Sequence, residues 1–498
     1  MDFFSAYKEL RNRIRKYRPR SIVRTSMGYL WHPVKNKLEE LEKHPWQVLL
    51  LVKWTLEDTF ASDKTGRDIK DFEFDELRQR LFDFPERISL WAAGSSARLF
   101  MRQLLHAQIA FQRDLSPSFT REAALLAKLA QDHPLRLLFL SKTGLEPLDF
   151  IDLAIACYAA VLNGRRTIGT NWFSSLRLHY GDASVDAFIQ GASRNYDELV
   201  AFCRGLPDAK RRRTSEFYEF TPLKRFPFLR TEGELEYWHP IVFFRGMEGF
   251  VHSVLSEAGQ DYIERFSKVF ERHVLNEIGM SGLCYFNEAQ LKAFCRSHQK
   301  VPDALVSFPD MNLFIESKAG LFDESVMTVG HSEILAHKTR ALQTAIAQGW
   351  ATSIGLREAR LAPAQVLNAP TDYLLVVTNR ELNASRGTTL REMYPEGKLD
   401  YPSVEASIYL PLERVYFISI DDFERLMAAA RSAEFEVPSF LEKCVELDSD
   451  PATAKYFFEQ HLNALRVPMR RSPLLSEAID CSYERIKQAL GSSISAGS

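Results

Sequence analysis

Apolar and polar positions alternate differently in the two halves of this chain. Between Leu38 and Leu206 the apolar residues recur at helical spacing, in segments such as EELEKHPWQVLLLVKWTLEDTF, SARLFMRQLLHAQIAFQRDL and EPLDFIDLAIACYAAVLNG, punctuated by Pro, Gly and Asp. No fixed repeat period runs through them, so a regular solenoid is not expected. Tyr218 to Pro240 reads as extended chain with a turn at Thr231-Glu232-Gly233-Glu234, and Ile241 to Leu255 as a helix.

Beyond Ala258 helical and strand patterns interleave. Gly259 to Ile278 predicts an amphipathic helix with Tyr262, Phe266, Val269, Phe270, Val274 and Ile278 on one face. Ala304–Phe308 and Leu313–Ala319 predict two apolar strands around the turn formers Pro309, Asp310 and Asn312. Ser332 to Trp350 predicts one helix, with Ser332 as N-cap and Gly349 at its C-terminal end. Asp372–Thr378 and Val415–Ile420 predict further strands, and a helix begins at Asp421. The expected fold is an α/β C-terminal core, a mixed sheet flanked by helices, preceded by a large all-α N-terminal region. Its expected divisions are 1–210 (helical), 211–257 (connecting strands and helix), 258–433 (α/β core) and 434–498 (helical tail).

Chemistry concentrates at the predicted hairpin. A loop of even length centred on Asp310–Met311 would set Asp303 opposite Lys318 and Leu305 opposite Glu316. Asp303, Glu316 and Lys318 would then share one sheet face, because side chains alternate with period two. Two carboxylates hold a hard divalent cation, which polarises a phosphate and activates a water, and an ammonium offsets charge developing on phosphorus. Charged strand residues commonly mark a solvated face. Here the strand is apolar on both faces, as a buried central strand is, and a Glu and a Lys there need each other or a ligand.

Pro302-Asp303 opening one strand and Glu316-Ser317-Lys318 on the next resemble the signature of the PD-(D/E)xK, or restriction-endonuclease-like, nuclease superfamily. Pro207-Asp208 and Pro309-Asp310 also occur, but the first leads into a basic run and the second sits in the turn. The resemblance spans roughly Ala258 to Ala433 and implies an order of helix, strands, helix, strand. It implies a Mg²⁺-dependent endonuclease, with Mn²⁺ as a substitute, in which Asp303, Glu316 and the Ser317 carbonyl hold the metal and Lys318 assists the water. By the same resemblance Glu271 of the first helix completes the shell, with Glu264 as fallback. Lys338 and Gln343 of the second helix and Arg380 after the later strand then face substrate. DNA is the implied substrate class, with RNA, including tRNA, the runner-up. The implied role is a single-protein phage-defence or restriction effector, a homodimer being one arrangement, whose helical region senses a trigger or positions substrate. The alternative is a non-catalytic binding module that keeps a nuclease-like core; the intact Asp, Glu and Lys favour the enzyme.

Composition adjusts this only a little. The formal net charge is −2, so the chain is not globally basic. Local basic runs at Lys8–Arg24 and Lys210–Arg213 could line a phosphate groove, the first as an arm and the second more simply as a linker. Six singly spaced cysteines read as reduced thiols, not a zinc or disulfide framework. Leu148–Leu162 is shorter than a bilayer span and carries Asp149 and Asp152, and the N-terminus lacks an apolar signal segment. A cytoplasmic protein without a membrane segment is expected.

Overall fold

The computed structural model describes residues 3–496 apart from 61–62, 88–95, 113–115, 211, 296–299, 321–323, 360–361 and 433. The protein is mostly helical with two small mixed sheets. It divides into two compact units, one of Met1–Ala92, Gln103–Glu257 and Leu474–Ser498, the other of Ala93–Arg102 and Ala258–Pro473.

The first unit is not all-α, contrary to expectation. Strands β1 (Thr167–Gly169), β2 (Ser193–Arg194), β3 (Phe228–Thr231) and β4 (Glu234–Tyr237) form a sheet in the order β1-β4-β3-β2. The β3–β4 hairpin turns at Gly233, whose φ of 77° suits glycine, as the Thr231–Glu234 turn predicts. β1 and β2 are too short to show a period, so nothing in the helical pattern announces them.

The basic runs also find partners inside this unit. Arg15 makes a two-pronged contact with Asp58 (2.6 and 2.9 Å), and Arg20 bridges Asp63 and Asp197. The N-terminal run is therefore built into helices Phe3–Ile14 and Pro19–Leu30 and is not a loose arm. Arg212 is no linker residue either. It pairs with Glu57 and Glu216, whose side chains are wholly buried and which also face Lys53. Arg211 of that run lies outside the described residues.

In the second unit α1 (Gln260–Met280) leads into β5 (Tyr285–Asn287), α2 (Glu288–Cys295), β6 (Ala304–Ser307) and β7 (Met311–Lys318). Helices α3 (Ser332–Lys338) and α4 (Arg340–Glu358) carry the chain to β8 (Thr371–Thr378), followed by β9 (Val415–Ser419) and α5 (Ile420–Ala430). The sheet order is β5-β6-β7-β8-β9, antiparallel through β7 and parallel from β7 to β9. α4 covers one face, where Leu342, Ala345, Ile346 and Trp350 share a buried cluster with Leu305, Phe314, Leu374 and Val376. α1 packs on β7, and α5 on β8 and β9, outside that cluster. Both faces are covered, as the apolar runs require.

Details of the hairpin and of the following helix depart from expectation. The hairpin register is displaced by two residues: Leu305 lies opposite Phe314 and Ser307 opposite Asn312. The Phe308 amide donates to the Met311 carbonyl at 2.8 Å, so the turn is the two residues Pro309–Asp310, and Met311 and Asn312 already belong to β7. The shift is even, so Asp303, Glu316 and Lys318 keep a common face while their pairing changes. The single helix expected over Ser332–Trp350 is broken at Thr339, whose hydroxyl binds the Leu335 carbonyl (2.7 Å) and Tyr394 (2.6 Å). Its N-cap is His331, with Ser332 the first helical residue.

Gly349 is interior to α4 and does not end it. Its requirement is close approach, because a Cβ there would stand 3.0 Å from methyl groups of both Leu374 and Leu410. Gly349→Val is expected to destabilise by about 1–3 kcal/mol as overpacking outweighs any helix-propensity gain. A urea midpoint equal to or above that of the parent protein would show that the helix can back away from the sheet.

Candidate metal-carboxylate site at the β6–β7 hairpin

Asp303 immediately precedes β6, and in the observed register it falls opposite Glu316. The two residues are joined by their own polar atoms. The Asp303 amide donates to Glu316 Oε2 (3.2 Å), while the Ser317 amide (2.7 Å) and hydroxyl (2.6 Å) both donate to Asp303 Oδ2. Lys318 forms an ion pair with Glu316 Oε1. Three charged groups therefore interlock over one hairpin end, with Glu316 buried and Asp303 and Lys318 half-buried. Ser317 enters this network through its amide and hydroxyl.

The group lies at the carboxyl end of β7, where parallel β8 also ends, since Lys318 pairs with Thr378. Open α/β sheets expose loops and ligand sites at that edge. Glu271, half-buried on α1, is close enough to Asp303 and Lys318 to feel both charges. A fourth carboxylate, Glu288, joins them. It is the first residue of α2, pairs with Lys292 at 2.6 Å, and acts electrostatically on both Glu271 and Asp303. Glu288 follows a three-residue strand whose brevity hides it from a reading of periodicity.

Burial and mutual repulsion dominate the electrostatics. Glu316 is pushed up to about 7, first by burial and next by Asp303, with Lys318 opposing. Burial raises Asp303 despite the two Ser317 donors and Lys318. Glu271 is raised by burial, then by Asp303 and Glu288. Clustered carboxylates that resist ionisation next to one another are relieved by a cation. The grouping offers two opposed carboxylates with two more nearby. Among the described residues, however, the set of three ligating side chains with donor atoms all within 4.8 Å is a different one, His273, Glu277 and Glu424.

The remaining candidates are only partly drawn in. Arg380 lies two residues past β8 at the same sheet edge, where its carbonyl accepts from the Thr378 hydroxyl at 2.7 Å. Gln343 lies in the first turn of α4, and its side-chain amide donates to the Ala336 carbonyl at 2.8 Å, bracing the helix break. Lys338 donates to the Ser325 hydroxyl. Among the described residues no helix is long and apolar enough to cross a membrane. Comparison of the chain with protein-family models, with curated proteins and with solved structures finds no match.

Proposed function

We propose that the second unit is a divalent-metal-dependent nuclease that hydrolyses phosphodiester bonds, with DNA as first substrate class and RNA as second. The observation that carries this reading is the interlocked Asp303–Glu316–Lys318 group at the carboxyl end of β7. The element order around it also supports the reading: helix α1, the antiparallel strands β5, β6 and β7 with α2 between the first two, helices α3 and α4, then parallel β8. That is the succession the PD-(D/E)xK resemblance calls for.

Asp303 and Glu316 would hold Mg²⁺ or Mn²⁺, a hard ion suited to carboxylate oxygens, with Glu271 behind them. The ion supplies Lewis acidity and a water of lowered pKa. Ser317 holds the Asp303 carboxylate in a fixed orientation through two hydrogen bonds. Once a cation neutralises Glu316, Lys318 no longer has to, and its ammonium becomes available to the attacking water or to the phosphate. The test is to incubate the full chain with Mg²⁺ or Mn²⁺ and linear, circular and single-stranded DNA and RNA, beside Asp303→Asn and Lys318→Ala. Cleavage that both variants retain would remove this assignment. Metal-dependent binding without cleavage would turn the reading to a binding module.

The raised Glu316 predicts a pH dependence. Its folded-state pKa of about 7 lies above the ordinary value of 4.5, so the fold favours the protonated form. The associated stability is complete below the ordinary carboxylate range and is lost as pH rises through about 7. A cation competes with that proton, so metal affinity runs the opposite way. Mn²⁺ affinity, followed by calorimetry, is expected to rise about tenfold per pH unit across that window. Glu316→Gln should flatten the rise. A flat profile in the parent protein would show that no Glu316 proton is displaced.

A further inference from the structure

The apolar face of α1 is interrupted by two residues that do not belong to an oil-filled contact. Tyr262, Phe266 and Phe270 continue, at helical spacing, into His273 and Glu277, which are as buried as the aromatics before them. One turn apart, they project to the same side. Across from them α5 supplies Glu424, also buried, whose Oε1 lies 2.7 Å from His273 Nε2. The three donor atoms all lie within 4.8 Å of one another, and the Arg431 guanidinium stands 4.0 Å from Glu277 Oε2.

We propose that His273, Glu277 and Glu424 form a buried three-ligand site for a divalent transition ion of the Zn²⁺ class, tying α1 to α5, with the fourth position left to a water. One imidazole nitrogen and two carboxylate oxygens are a donor set that zinc accepts, at about 2.0–2.2 Å from each atom. Ligands at that distance in tetrahedral array stand roughly 3.4 Å apart, so small side-chain rotations bring these three together. The site is chemically unlike the hairpin. Mg²⁺ wants oxygen ligands and retained waters, whereas an imidazole in a dry, enclosed contact suits Zn²⁺. Burial also separates a structural role from a catalytic one, because no substrate reaches a group enclosed between two helices. Zinc would take the imidazole nitrogen that now faces Glu424. It would link residues about 150 positions apart in sequence and stabilise the fold in proportion to its binding.

The full chain, purified without chelators and desalted, is expected to hold about one zinc per molecule by elemental analysis, and to keep it in excess Mg²⁺. After chelator treatment, added Zn²⁺ should raise the melting temperature, and added Co²⁺ should give a visible ligand-field spectrum. Glu277→Gln and Glu424→Gln preserve side-chain volume and are expected to weaken zinc binding at least about tenfold. The double variant Asp303→Asn/Glu316→Gln should retain the full complement. The proposal is overturned if the parent protein binds no zinc after reloading. It is equally overturned if the Gln variants hold zinc as tightly as the parent, or if zinc is lost from the hairpin double variant instead. Should a Gln variant fold poorly, the chelator-and-reload melting shift of the parent decides alone. Failure here leaves the hairpin reading untouched, because that reading uses neither His273 nor Glu277.

Discussion

Asp303→Asn is expected to leave the fold in place and to lower metal-dependent cleavage by about 10²–10⁴-fold. Asparagine keeps an oxygen where the Ser317 amide and hydroxyl donate, so the hairpin end retains its two hydrogen bonds. Only the charge is lost, and with it one of the two opposed carboxylates. A second consequence identifies the cause. Asp303 is the largest electrostatic contributor, after burial, to the raised Glu316, so its neutralisation should lower the Glu316 pKa from about 7. With one of the two opposed carboxylates gone metal affinity should fall, and with the Glu316 pKa lowered its pH dependence should move to more acidic values. Lys318→Ala should behave differently. Removing the ammonium that now occupies Glu316 Oε1 leaves the carboxylates freer for a cation, so metal binding should hold or tighten while turnover falls. Were both variants to lose metal binding and turnover in parallel, Lys318 would be a structural counter-ion with no part in the chemistry.

Much of this arrangement is legible in the sequence, and the illegible parts have physical reasons. The α1 face is read correctly because six apolar residues recur over five turns, and β7, β8 and β9 because long apolar runs bounded by turn formers admit little else. The face shared by Asp303, Glu316 and Lys318 survives an incorrect register because parity, not pairing, decides it. The register itself depends on whether Met311 and Asn312 lie in the turn or the strand. Asn312 is a turn former by propensity, yet its side chain is drawn into the core to bond Asp372 and the Val366 carbonyl. That is a long-range partner no local pattern reveals. Gly349 reads as a helix terminus until Leu374 and Leu410 are seen against it. The break at Thr339 rests on a bond to Tyr394, 55 residues away in sequence. His273 and Glu277 did carry a signal, two polar residues set in the apolar arc, which acquires meaning only when α5 brings Glu424 opposite.

The same long-range chemistry makes Asp372→Ala the substitution with the largest expected effect on stability. Asp372 is the second residue of β8, with no exposure to solvent, opposite Asn312 in the parallel ladder. Its carboxylate accepts from Arg357 (2.6 and 3.1 Å), from the Asn312 amide (3.1 Å) and from the Ser353 hydroxyl. Alanine would strand a largely buried guanidinium and a wholly buried amide together, and breaking a buried pair from one side costs about 3–5 kcal/mol. For a unit of this size that is a fall in melting temperature of roughly 6–20 °C. Removing both charges with Asp372→Asn/Arg357→Met should recover most of the loss, since an uncompensated charge is far more costly than a neutral replacement. Asp372 lies at the start of β8, at the opposite end of the β7–β8 ladder from Lys318 and Thr378. Below its lowered melting temperature the alanine variant should therefore cleave at the parent rate per folded molecule. A melting shift of only a degree or two would mean that Arg357 finds equivalent acceptors among the Ser353 and Ala369 carbonyls it already touches. A normal melting temperature with impaired cleavage would instead tie this corner to the hairpin chemistry, which the distance along β7 argues against.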